Sequence, residues 1–402
     1  MTTARNPWLL LPVAFLPFFS NALLYIGMPP LLDAMAETIP MSHAGRGALM
    51  GVVSLATLAL VLIGGRLVDR RGGRYAGIAA CLCTIPGGLL SAVPVYGVVL
   101  AGRMLVGAGG LLSMVVASRA VGQLFPEGRR AVPMGLFHAV FPTAAMISFA
   151  SFRTLAEQLG WQAVVLGTVG VAALALVLFI SLYHEEAPTF THGSEVSLRE
   201  ALRMPGPFWL LTGLWLFYGI TGGTVNTFGA AHLAATGLDP FRADRVIMWS
   251  MIGVIPATPL LGALVDRWGG LHPLLTASGL ASGAVLGLLV ARIGPPEPLG
   301  VLFGAILAGV PLTVFLFLPV WVGPHRTGLG FALLQGAMGI GALVGPVEAG
   351  ALRDLTGDHV AGMGVAVTLM TMTGVLGGAL WILKARQGNR MTPPRLDHPA
   401  AR

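Results

Sequence analysis

Charge is scarce in this chain: Asp, Glu, Lys and Arg together make up 10% of its 402 residues, against 55% hydrophobic residues. A water-soluble domain of this length does not carry a mean hydropathy of +0.80, so the polypeptide belongs in lipid. Cysteine is nearly absent. Cys81 and Cys83 sit two positions apart inside an apolar stretch, which excludes a disulfide framework and a cysteine metal cluster and leaves them as packing residues. No Gly-x-x-x-x-Gly-Lys loop is present, so direct ATP drive is disfavoured. The sequence also lacks a nucleophile and base at motif spacing and any metal-ligand set; neither an enzyme nor a cofactor is expected.

What the chain has in abundance is apolar runs. A helix needs about 20 such residues to cross the hydrocarbon core, and the sequence yields twelve spans, at about 8–32, 47–68, 74–93, 97–121, 131–152, 161–183, 207–235, 243–265, 272–292, 299–321, 328–352 and 360–384. The first run continues through Pro12, Pro17, Asn21 and Tyr25, too long and too polar for a cleaved signal peptide, so it is expected to be retained. Two segments repeat. GRLVDRRGG at Gly65–Gly73 returns as GALVDRWGG at Gly262–Gly270, each a tight polar turn between two spans, so the chain is a duplication. The predicted architecture is an all-α polytopic membrane protein of two six-helix bundles, residues 1–183 and 207–385. A cytoplasmic linker, 184–206, joins them, and a polar tail covers 386–402. Within the linker Ser197-Leu-Arg-Glu200 reads as a capping box opening a short amphipathic helix on the membrane surface.

With the N-terminus inside, seventeen of the twenty-four Lys and Arg residues fall on the inner side, the distribution that orients membrane proteins. The formal net charge of +7 is thus topology and not a nucleic-acid footprint. Both termini are expected in the cytoplasm and the chain in the inner or plasma membrane, as a monomer in contact with lipid.

These repeated turns resemble the signature of the major facilitator superfamily, Gly-x-Leu-Ala-Asp-Arg-x-Gly-Arg. It is matched by Gly65, Leu67, Asp69, Arg70 and Gly72, and again by Gly262, Leu264, Asp266, Arg267 and Gly269; Gly73 stands where the family has arginine, with Arg74 displaced by one residue. The resemblance covers essentially the whole chain. It implies that the loop aspartate and its basic partners form a cytoplasmic latch in the outward-facing state, with the carboxylate near a helix N-terminus. Such a placement is worth about 0.3–1 kcal/mol when exposed; the plainer reading is that Asp69 and Asp266 cap turns in water. Arg103-x-x-x-Gly107-x-Gly109-Gly110 is similar to the family's pattern in helix four, and Gly341-x-x-x-Gly345-Pro346-x-x-x-Gly350 in helix eleven is similar to an antiporter motif the family places in helix five. The Phe125-Pro126 turn is similar to the cyanate and nitroimidazole branch.

Arg103 is the leading candidate for function, because an arginine inside a span costs roughly 2.5–3.5 kcal/mol unless it faces protein or a water-filled cavity. It reads either as a ligand for a substrate carboxylate or as a structural residue bonded to carbonyls of a neighbouring helix. Glu348, inside span eleven, is a proton-coupling candidate, with a surface salt bridge to Arg353 as the alternative. His138 is the second such candidate, against a local hydrogen bond; the repeat offset places it opposite Gln335, making a pseudo-symmetric polar pair. Asn21 and Tyr25 on helix one, and Tyr218 and Asn226 on helix seven, offer hydrogen bonds either to a solute or between helices. Arg119 reads as a snorkelling or gate residue. The reading that results is a secondary transporter for a small organic solute, an organic anion being favoured, working by proton-coupled rocker-switch alternating access. Efflux of lipophilic or cationic drugs is the alternative, and a non-transporting solute sensor is the alternative of another class.

Overall fold

The computed structural model describes residues 6–126, 129–183, 203–268, 271–323 and 327–386. Every regular element among them is helical. The first bundle comprises α1 (Pro7–Ile26), a 3-10 turn (Pro29–Leu31), α2 (Leu32–Thr38), α3 (His43–Ser91), α4 (Tyr96–Leu124), α5 (Ala131–Leu159) and α6 (Trp161–Leu182). The second comprises α7 (Gly206–Ala235), α8 (Pro240–Trp268), α9 (Leu271–Val290), α10 (Pro296–Leu307), α11 (Gly309–Val322), α12 (Thr327–Thr356) and α13 (Val360–Arg386). Eleven stretches are long and apolar enough to cross a membrane. A further crossing is the arm of α3 beyond Gly72. There the chain turns at φ 84°, ψ 165°, a conformation open almost only to glycine, and the arm runs back beside α4 and α6. The signature glycine at 72 is therefore the turn between spans two and three.

Helix ends differ from the expected boundaries where local chemistry says they should. Pro29 and Pro30 interrupt the first span, which then continues as α2 to Thr38. Span ten breaks at Ala308 between α10 and α11, because Pro311 has no N–H for the Leu307 carbonyl one turn back. Helices α5 and α12 run to Leu159 and Thr356 rather than to 152 and 352, so Arg153 and Arg353 are helical residues. Residues 184–202 and 387–402, with the expected Ser197–Glu200 cap, lie outside the described residues. So do Gly269, the surroundings of Gly65 and the side chains of Asp69, Arg70 and Asp266.

One end of the molecule carries Pro7, the Gly72 turn, Gly206 and Arg386; we call it the open end, and the opposite one the latch end. Any side chain at position 72 must adopt the glycine-only geometry, so Gly72→Ala is expected to destabilise the detergent-solubilised protein by about 1–3 kcal/mol. A thermal melt of the variant that superposes on the parent's contradicts that account of the turn.

Candidate functional site between the bundles

Contact between the bundles follows one stripe of α12. Residues 331, 335, 339, 343, 346 and 350 share a face at helical spacing. Four of them meet α3: Gly350 lies against the His43 backbone, Pro346 against Gly47, Leu343 against Gly51 and Gly339 against Leu58. A side chain at Gly350 or Gly47 would strike backbone, so these glycines set how closely the helices approach. Beyond Gly339 the side chains of α3 that come next, residues 61–70, lie outside the described residues. Gln335 is half-buried, makes no hydrogen bond among the described residues, and is followed by Phe331, 42% exposed. Behind Phe331 a row of rings leads into the second bundle, Phe315 at 5.6 Å from it, then Trp215 at 5.3 Å from Phe315 and Tyr218 stacked on Trp215 at 4.7 Å.

The other seam joins α5 to α8. It closes at the latch end with a salt bridge from Arg153 to Asp244, a carboxylate only 2% exposed. Asp33, on the first bundle, lies 3.6 Å from Arg153 and 2.8 Å from Arg46. Charges thus alternate along Arg46, Asp33, Arg153 and Asp244, and only the last link crosses between bundles. A second polar link crosses nearby. Both oxygens of Asp354, on α12, accept backbone N–H groups at the start of α3, from His43 and Ala44, at 2.9 Å each. Ser42 takes the Gly45 N–H of the same turn. Donors that a helix start leaves unpaired are satisfied there partly by the opposite bundle, with the carboxylate at the positive end of the helix dipole. His43, Phe228 and His359 pack their rings beside this link. Burial, then the neighbouring His43 and Arg353, push His359 down to about 4; it is neutral at physiological pH.

Arg103 does not reach either seam between the bundles. Its side chain is fully buried (0% exposed), and Nε donates to the Leu49 carbonyl at 3.0 Å, Nη1 to Leu24 at 2.6 Å, and Nη2 to Tyr25 at 3.0 Å and the Met50 sulfur at 3.4 Å. Leu24 and Tyr25 end α1, where carbonyls have no partner within the helix and a cation is favoured. Of the two readings of Arg103, these contacts support the structural one: four of its five N–H donors fasten α1 and α3 to α4. Asn21 is occupied in the same way, donating to Thr84 at 3.0 Å and the Val106 carbonyl at 2.8 Å. The glycines after Arg103 meet helices rather than a solute, Gly107 beside Val53 and Gly110 beside Asn21.

The remaining predicted residues divide by position. Tyr25 is half-buried, with Arg103 over its ring at 5.5 Å and Phe141 beside it at 6.0 Å. Asn226 is half-buried on α7 and makes no hydrogen bond among the described residues. His138 is exposed, edge-on to Phe137; its place on α5, counting by turns from Arg153 through 149, 146 and 142, is the counterpart of Gln335 on α12. Glu348 is half-buried without a described partner, and no salt bridge joins it to Arg353. It lies about half a turn around α12 from Pro346, off the seam. Arg74 donates to the Ile180 carbonyl at 3.1 Å, at the end of α6. Arg119 is half-buried and has bonding partners; Arg267 is exposed in the last turn of α8. Gly262 has open space around it, so no close helix approach explains that repeat glycine.

The sequence reading passed over Arg153, Asp33 and Asp354 because they fall in the expected outer loops. Asp244 lay just inside the expected eighth span and was not singled out. Charges of opposite sign near the facing ends of spans five and eight were the available signal.

Residues 10–320 match the Major Facilitator Superfamily. Among curated proteins the chain is similar to monocarboxylate transporter 13 of Bos taurus, 26% identical over 78% of this chain and 75% of that protein. It is also similar to the tetracenomycin C resistance and export protein of Streptomyces glaucescens, 28% identical over 81% of this chain and 65% of that protein. Among solved structures a point mutant of the nucleoside transporter NupG superposes with a TM-score of 0.74 at 14% identity, covering 93% of this chain and 99% of that one; that likeness concerns the fold.

Removing the guanidinium strands carbonyls of α1, so Arg103→Ala is expected to cost on the order of 3 kcal/mol. Arg103→Lys recovers little of it, since one ammonium does not span three carbonyls. Thermal melts of both variants check this; an unchanged melting temperature would return Arg103 to the list of solute ligands.

Proposed function

The chain belongs to the major facilitator superfamily, and from that membership we propose a proton-coupled secondary transporter that moves a small organic solute by rocker-switch alternating access. It is an integral membrane protein with the fold of solute transporters, whose relatives are not enzymes. In our reading it sits in the inner or plasma membrane as a monomer, with the open end in the cytoplasm, the side that the Lys and Arg distribution favours. What supports the proposal is the stripe of α12: four positions packed against α3 at the latch end, then Gln335 half-buried and Phe331 exposed toward the open end. In our reading the seam parts toward the open end, as alternating access requires of an inward-facing state. The signature loops, with Asp69 and Asp266, would take over as the latch when the open end shuts.

For the solute, the argument for an organic anion rested on Arg103, which is spent on carbonyls. We favour instead an uncharged solute with an aromatic or apolar body. Phe331 and the ring row behind it supply contact area, and Gln335, His138 and Asn226 supply hydrogen bonds without fixed charge. The name of the Streptomyces relative speaks for export of such a compound. That of the bovine relative keeps a monocarboxylate as the second reading. Protons would couple through His138 or Glu348.

Proteoliposomes loaded in parallel with tetracenomycin C and with lactate, each with and without a pH gradient, separate these readings. Gradient-dependent movement of the aromatic compound is expected, reduced roughly tenfold by Phe331→Ala, about the loss of one aromatic contact. Lactate movement without any aromatic flux would overturn the solute assignment. Binding of either compound without flux would favour a sensor.

A further inference from the structure

Asp244 occupies a position that the transport reading does not yet use. Its carboxylate is almost wholly excluded from water, one oxygen is bonded to Arg153, and the other, Oδ1, is buried without any hydrogen-bond partner. Arg153 is a divided partner: Asp33 claims it from the first bundle at 3.6 Å, and Asp33 is 54% exposed and itself held by Arg46 at 2.8 Å. Other charges near the latch are committed elsewhere, neutral or, for Arg245 and Arg353, without a hydrogen bond among the described residues. On the same helix Arg242 is bonded to Glu297 of α10 at 2.7 Å, and Arg245 follows Asp244 directly. On α7, His232 contacts the Val290 carbonyl at 3.0 Å through Nε2, and His359 beside α12 is neutral at physiological pH.

Asp244 lies at the seam between bundles, so opening the latch exposes it to water and shutting the latch strips that water away. A carboxylate that gains one shared arginine and loses hydration at its second oxygen is poorly compensated as an anion, because the desolvation of a buried ion pair commonly exceeds its Coulombic gain. We propose that Asp244 is a proton-binding site of the transport cycle: the latch closes most readily once this carboxylate has taken a proton from the latch-side solution. On closure the proton resides on the carboxyl, and Arg153 keeps Asp33 as its counter-ion. This rests on the transport reading for its meaning but not for its test.

The sign follows from linkage: if the closed state holds one proton more than the open state, acid favours closure, with the closed-to-open ratio changing up to tenfold per pH unit through the transition. In a chain carrying Cys81→Ser and Cys83→Ser, spin labels at Gln158→Cys and Ala235→Cys report the separation across the latch by electron resonance. The short-distance population is expected to grow from pH 8 to pH 5. Asp244→Asn, a neutral isostere, is expected to stay closed at every pH. Asp33→Asn removes a neighbouring negative charge and is expected to move the transition to lower pH by roughly one unit, a readout that survives if Asp244→Asn does not fold. A latch population that is independent of pH, that opens in acid, or that responds to pH as before in Asp244→Asn overturns the proposal. Such a failure leaves the flux experiment untouched, and absent flux with an acid-closing latch leaves the proton site standing without the transport reading.

Discussion

Leaving backbone and charge unpaired where no water reaches them is costly, and in this chain a few polar side chains that fasten helix ends relieve much of that cost. Arg103 closes the end of α1, and Asp354 closes the start of α3 from the opposite bundle. The first fixes the interior of a bundle, so it is permanent. The second spans two bodies, so it can be made and broken. The difference between a structural bond and a latch here is which elements it connects, since both use a charged side chain on the free groups of a helix terminus.

The two seams between bundles reach closure by different means although the halves are a duplication. Along α3 and α12, glycines bring backbones together, and the exposed end of the contact is fastened by Asp354 on the N–H groups of His43 and Ala44. Along α5 and α8 an ion pair joins the bundles, one partner nearly dry and the other shared with Asp33. Close packing of backbones has little response to solution conditions. A seam that ends on a buried carboxylate has, because hydration and protonation enter its energy directly.

Much of the fold was legible in the sequence. The lengths of the apolar runs, the repeated turn at Gly65 and Gly262 and the glycine at 72 gave the crossings and the doubling, because these depend on local composition and on distances along one chain. The site was less so. An arginine in a span announces that it has partners without saying which, and for Arg103 these are three carbonyls on two other helices, set by packing. Pairing His138 with Gln335 needed only the repeat, and the two occupy equivalent places on α5 and α12. Arg153 escaped because hydropathy ends a span at the first charge, whereas α5 runs on beyond the apolar core; Asp244 lay just inside the expected eighth span, and without Arg153 it had no visible partner.

The central claim is that the bundles are shut at the latch end and parted around Gln335 toward the other. Side-specific labelling of Gln335→Cys, with Cys81 and Cys83 replaced by serine, tests it most directly. A membrane-impermeant maleimide is predicted to react from the side bearing Pro7 and Arg386 and not from the side bearing Asp33 and Asp354. Reaction from the latch side, or from neither side, would contradict the account.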